Sequence, residues 1–229
     1  MKSPKKISKK KILLIGKKDD FYCMKAIDFM KQHFHENELT IVTGTRHEIL
    51  PDEIRSWKGD YIFSYLSPWI IPASLLERAK YGGINFHPGP PEYPGIGCTN
   101  FAIYNNEKSF GITCHYMDPK VDTGKIISVK RFPLLYSDSV FSLTQRCYAF
   151  ILVTFYEIVS AIAEKKSLPK RKEKWKRKPF KRSELNELCI ITRGMSKKEI
   201  NRRIKAVEYP GYEGPYMLIG GKKKFILQS

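Results

Sequence analysis

The chain has 229 residues, 42% hydrophobic and 13% aromatic, which suits one full core with a small appendage and excludes a disordered or fibrous chain. Against 23 Asp and Glu stand 41 Lys and Arg, a net charge of +18. Either the excess is a solvated lysine-rich surface, or the partner is anionic: nucleic acid, an anionic membrane, a nucleotide sugar or a polyglutamylated folate.

Residues 1–10 are basic and expected to be disordered, without the apolar run and cleavage site of a signal peptide. Residues 11–16 read as a buried strand ending at Gly16. Asp19 or Asp20 can cap a helix on which Ala26, Ile27, Met30 and Phe34 share a face. Residues 38–43 form a second strand, and strand, helix, strand predicts a parallel sheet. Gly16 and Lys17 lie where open sheets bind ligands, though two exposed lysines would look the same. No Gly-x-Gly-x-x-Gly follows the strand, so no nicotinamide or flavin site is expected. Residues 60–66 are a third strand, and 67–72 turn into a helix with Leu75, Leu76 and Ala79 on one face. Residues 84–87 are a short strand whose period of two puts Asn85 and His87 on the same side.

Residues 98–106 read as a helix, and 110–117 and 126–134 as strands joined by a loop over 118–124. His115 is expected to be structural. Residues 138–165 form one long helix capped by Ser137 or Asp138, with Val140, Leu143, Cys147, Ile151, Phe155, Ile158 and Ile162 in a stripe. The longest apolar run, 147–156, is half the roughly twenty residues a membrane span needs, so a buried helix is expected and membrane insertion is not. The run 165–182 holds eleven Lys and Arg and one Glu, and reads as a phosphate- or nucleic-acid-facing surface or as a solvated linker. Trp175 within it carries no motif. Ser196 and Glu199 form a capping box before a helix over 199–207. Residues 217–227 read as a hairpin turning at Gly220 and Gly221, which needs a surface to pack on.

Cys23, Cys98, Cys114, Cys147 and Cys189 are odd in number and have no Cys-x-x-Cys spacing. They read as reduced thiols in a cytoplasmic protein without disulfides or zinc. His33 and His35 have a metal-like spacing but no third ligand, so no metal is expected. Asn85, His87 and Asp122 are the candidate catalytic residues. An imidazole can carry a proton near neutral pH, a carboxylate can orient it, and an amide N–H can hold a developing oxyanion. Together they can move an acyl group without a covalent intermediate.

The segments Ile84-Asn85-Phe86-His87-Pro88-Gly89, Phe110-Gly-Ile-Thr-Cys-His-Tyr-Met117 and Val121-Asp122-Thr123-Gly124 resemble the folate-dependent formyltransferases. That family includes glycinamide ribonucleotide, methionyl-tRNA and nucleotide-sugar enzymes. The resemblance covers residues 11–165 and is strongest over 60–135. It implies an α/β, Rossmann-like fold with a mainly parallel sheet, a catalytic domain over 11–165, and a basic linker with a small helix and β-hairpin region over 166–229. Where purine and tRNA enzymes have Ser-Leu-Leu-Pro, this chain has Gly89-Pro-Pro-Glu-Tyr93-Pro-Gly95, as in enzymes acting on dTDP-linked amino sugars.

The resemblance assigns Asn85, His87 and Asp122 to catalysis. It implies folate contacts at Tyr65, Leu66, Ser67, Pro68, Trp69, Asp118, Lys120 and Val121, and sugar-nucleotide contacts at Gly16, Lys17, Pro88, Gly89, Pro90, Tyr93, Tyr209 and Tyr212. The implied reaction moves a formyl group from 10-formyltetrahydrofolate to a dTDP-linked amino-dideoxy sugar for cell-surface polysaccharide. dTDP-4-amino-4,6-dideoxyglucose is the first choice, the 3-amino isomers follow, and a homodimer is implied. The competing readings are a methionyl-tRNA formyltransferase and a catalytically silent nucleic-acid-binding protein. The Gly-Pro-Pro-Glu-Tyr sequence and short tail speak against the first, and the match at Asn85, His87 and Asp122 against the second.

Overall fold

Strand β1 (Ile12–Lys17) is apolar on both faces, and that decides its place inside the sheet. Ile12 and Leu14 enter one core, while Leu13 and Ile15 enter another. The structure is a computed structural model describing residues 9–226. The disorder expected for 1–10 falls, up to residue 8, outside the described residues, as does Leu227 of the expected hairpin.

After β1 come α1 (Phe21–His33), β2 (Leu39–Gly44), α2 (Asp52–Arg55), β3 (Tyr61–Tyr65), α3 (Ala73–Leu76) and β4 (Gly83–His87). Next are α4 (Cys98–Tyr104), β5 (Ser109–Tyr116), β6 (Ile126–Pro133) and α5 (Val140–Ala163). The tail holds α6 (Arg182–Leu188), α7 (Lys197–Val207), β7 (Tyr216–Ile219) and β8 (Lys222–Phe225). Six strands form one sheet in the order β2-β1-β3-β4-β5-β6. The first four are parallel, and β5 runs antiparallel to both β4 and β6. The expected α/β fold with a mainly parallel sheet and a C-terminal helix and hairpin is the observed one.

Local chemistry sets the element ends. Asp20 caps α1 by accepting the N–H groups of Tyr22 and Cys23 at 3.0 and 3.1 Å. The cap of α5 is Ser139, not Ser137 or Asp138, and Ser139 exchanges hydrogen bonds with Ser142. Asp138 instead accepts the Leu135 N–H at 2.7 Å, holding the preceding turn. All seven residues of the predicted α5 stripe are buried. By length and composition alone α5 could cross a membrane, but here its stripe covers the sheet, with Phe155 against Phe63, Tyr65 and Phe86.

The tail is not set apart from the first domain. Phe180, Leu188, Ala206 and Val207 belong to the main core, and Asn100 Nδ2 donates to Ala206 O at 2.8 Å. Helix α6 carried no recognised sequence signal. Ser196 caps α7 through the Glu199 N–H, but Glu199 spends its carboxylate on Tyr104 and Arg203 instead of closing the box. The hairpin turns at Gly220 and Gly221, both with positive φ (58° and 76°). Its base is tied down where the Ile191 N–H bonds Tyr216 O and the Tyr216 N–H bonds Cys189 O.

Candidate active site

A cleft of about 2160 Å³ opens where β1, β3 and β4 end, between the sheet and the tail. Alternation along β4 sends Phe86 into the core and Asn85 and His87 to the cleft side. Antiparallel pairing sets His115 on β5 directly opposite Asn85. The loop after β5 then returns Asp122, in a left-handed conformation (φ 46°), between the two histidines.

Asp122 is the hub. Its Oδ2 lies 3.2 Å from His87 Nδ1 and accepts the Gly95 N–H at 2.7 Å. Its Oδ1 lies 3.2 Å from His115 Nε2, and Asn85 Nδ2 lies 3.1 Å from the same nitrogen. Burial opposes ionisation of Asp122. The charges of His87 and His115, with hydrogen bonds from His115 and Gly95, outweigh it and hold the carboxyl well below the ordinary value of 3.8.

The acceptors fix the ring protons. His115 Nδ1 meets Tyr116 O at 2.8 Å and so donates. Its Nε2 accepts from Asn85 in the neutral ring and donates to Asp122 in the imidazolium. His87 Nε2 meets Tyr93 O at 2.8 Å and donates to it. Both nitrogens of His87 therefore face acceptors, an arrangement complementary to the charged ring. Accepting a proton from an amine requires the neutral ring, with Nε2 deprotonated and moved off Tyr93 O while the Nδ1–H stays on Asp122. Cys98 also lines the cleft, but burial pushes its thiol up to about 12, which removes it as a nucleophile at neutral pH.

The formyl transferase family profile matches residues 3–151, well over half of the chain. The chain belongs to the formyl transferase family. GDP-perosamine N-formyltransferase of Brucella melitensis is 29% identical over 168 residues, covering 73% of this chain and 64% of that relative. The chain thus spans under two thirds of that relative's length. A 4-N formyltransferase from Francisella tularensis shares the fold at TM-score 0.76 and 19% identity, over 95% of this chain and 97% of the other. An N-formyltransferase from Helicobacter canadensis, solved with folinic acid and dTDP-3-aminofucose, does so at TM-score 0.72 and 21% identity, over 93% and 85%.

Within this family member the cleft gathers most of the sequence-predicted residues. Leu66, Ser67, Pro68, Trp69, Asp118, Lys120 and Val121 line it, as do Lys17, Pro88, Tyr209 and Tyr212. Tyr65 does not. It is fully buried against Phe86 and Phe155, and its neighbour Ser64 lines the cleft instead, because successive residues of β3 face opposite sides of the sheet. Gly16 is also off the cleft, with Cys23 packed where its side chain would be.

Gly89, Pro90 and Tyr93 are buried behind His87 and do not line the cleft. Tyr93 packs on Phe110 and Phe180, and its hydroxyl bonds Glu107 and Asn105. Two residues were missed. His115 reads as structural in the sequence, although strand alternation from Thr113 and the nearby carboxylate are available signals. Trp175 packs edge-on to His87 and His115, a contact that nothing local announces. No group of three metal-ligating side chains occurs among the described residues.

Proposed function

We propose that this chain transfers a formyl group from 10-formyltetrahydrofolate to the amino group of a nucleotide-linked amino-dideoxy sugar. The observation that carries this reading is the cluster of half-buried Asn85 with buried His115, Asp122 and His87 at the cleft floor. The wall beside it suits a flat pterin: Leu66, Trp69, Ile71 and Met117 offer apolar cover, and backbone at the end of β3 offers donors and acceptors. The other wall is cationic. Arg46, Lys176, Lys178 and Arg182 line it, and none makes a salt bridge among the described residues, which suits a diphosphate.

The donor supplies an activated formyl carbon. Asn85 offers an amide N–H to the oxygen that becomes negative as the amine adds. Asp122 orients His87 through Nδ1 and stabilises its charge. In the neutral ring, His87 Nε2, deprotonated and off Tyr93 O, takes the amine proton directly or through water and passes it on to the leaving nitrogen. Asn85→Ala is expected to lower kcat by about 10²- to 10³-fold with KM for both substrates nearly unchanged, because the bond forms only as charge develops. Steady-state kinetics check this, and a raised KM at parental kcat would contradict it.

dTDP-4-amino-4,6-dideoxyglucose remains the first acceptor to test. The Brucella relative is named for a GDP-linked sugar and the Helicobacter structure holds a dTDP-linked 3-amino sugar, so base and ring position are separate arms. Offering 10-formyltetrahydrofolate with dTDP- and GDP-linked 4-amino and 3-amino sugars and with methionyl-tRNA, followed by mass spectrometry, separates the readings. Formylated sugar supports the proposal, and formylated methionyl-tRNA alone replaces it. A second copy of the chain is the proposed cover for Leu218, Ile219 and Phe225, which are exposed on the hairpin. Such a dimer would work in the cytoplasm, supplying formylated sugar for cell-surface polysaccharide.

A further inference from the structure

We propose that Trp175 is a positioning residue of the transfer cluster: its N–H holds the loop that carries Asp122, and its ring covers the two imidazoles bonded to that carboxylate. The inference rests on the function proposed above.

The run 165–182 reads from composition as a solvated linker or a phosphate-facing surface. In the fold it is strapped across the segment that follows His87. Glu173 pairs with Arg131 at 2.9 Å on one side of Trp175. On the other side the Lys176 N–H donates to Pro91 O and the Phe180 N–H to Pro94 O, both at 2.9 Å, and the Ile96 N–H returns to Phe180 O at 3.1 Å. Phe180 is buried, with its ring stacked 3.9 Å from Phe101. The strap is therefore anchored before and after Trp175.

Between those anchors, the Trp175 Nε1–H donates to Gly124 O at 2.8 Å. Gly124 lies two residues past Asp122, whose left-handed backbone needs its loop held in place. The indole meets His115 at 5.0 Å between ring centroids and 89° between planes, and His87 at 5.8 Å and 70°. One side chain thus touches the loop of the carboxylate and both rings that share it. Excluding water there strengthens the interactions of Asp122 with the histidines, and fixing the loop keeps their geometry. Lys176, Arg177 and Lys178, which follow Trp175, face the cleft, so strap docking brings cationic wall and positioned cluster together.

The test compares the parent chain with Trp175→Ala, which loses ring and N–H, and Trp175→Phe, which keeps a ring but not the N–H. Two readouts are taken. With formyl donor and amino sugar, Trp175→Ala should lose about 10- to 100-fold in kcat, with each KM within about threefold of the parent. In proteins carrying 15N-histidine, the ring-nitrogen signals of His87 and His115 should move in Trp175→Ala and less in Trp175→Phe. A folded Trp175→Ala with parental kcat, or one altered only in KM, would overturn the proposal. If Trp175→Ala fails to fold, Trp175→Phe decides: parental kcat with unshifted His87 and His115 signals is the overturning result. The nitrogen signals need no turnover, so they read the hold of Trp175 even if no acceptor is formylated, an outcome that would count against the proposed reaction alone.

Discussion

Replacing Asp122 with asparagine is expected to cut turnover by about 10²- to 10⁴-fold. The change keeps the side-chain shape and removes the charge. Two imidazoles share that charge at 3.2 Å each, and the orienting bond to His87 Nδ1 depends on it. The variant should still fold, since an amide oxygen can accept the Gly95 N–H in place of Oδ2. Single-turnover kinetics with saturating donor measure the loss, and a rate within a few-fold of the parent would remove Asp122 from the mechanism. A second sign should accompany it. The native carboxyl titrates below its ordinary value of 3.8, so the stability it supplies is present above that pH and fades as pH falls through the native value. In acid unfolding, the asparagine variant should lose that part of the pH dependence.

Gly89→Ala is expected to disable the site from behind. A Cβ at Gly89 would meet His87 Nε2 at 2.6 Å, Tyr93 O at 2.7 Å and the Cys98 Cβ at 3.0 Å. None is the free end of a flexible chain, so either the imidazole leaves its position or the turn shifts. Overpacking of this kind costs about 1–3 kcal/mol, which in a chain of this size lowers Tm by several degrees, at about 2–4 °C per kcal/mol. Turnover should fall with it, because His87 is the group displaced. A sugar-contact role for Gly89 would instead raise KM at unchanged Tm. Thermal unfolding and kinetics on one preparation separate the two.

What could be read along the chain was what local periodicity controls. The α5 stripe and the shared face of Asn85 and His87 follow from spacing of 3.6 and two residues, and the Asp20 cap (one of two candidates) and the Gly220-Gly221 turn from the local chemistry of those residue types. Asp122 enters the candidate site through the family resemblance, and in the fold it lies 3.2 Å from both His87 and His115. The rest depends on which strands become neighbours. His115 joins the site only because β5 pairs antiparallel with β4, in the register that sets it opposite Asn85. Tyr93 contributes its carbonyl instead of its ring, because Phe110 and Phe180 enclose the ring. Trp175 lies among lysines that suggest solvent, and its partners come from β4, β5 and the Asp122 loop. Charge composition points toward an anionic partner but cannot say that residues 176–182 of the basic run line the cleft.

The most direct measurement of the central claim pairs the parent chain with His87→Ala. Each is mixed with 10-formyltetrahydrofolate and the nucleotide-linked amino sugars, and the products are read by mass spectrometry. The predicted result is a sugar nucleotide heavier by one formyl group from the parent and none above background from the variant. Equal product from both, or formyl transfer only to methionyl-tRNA, would contradict the account.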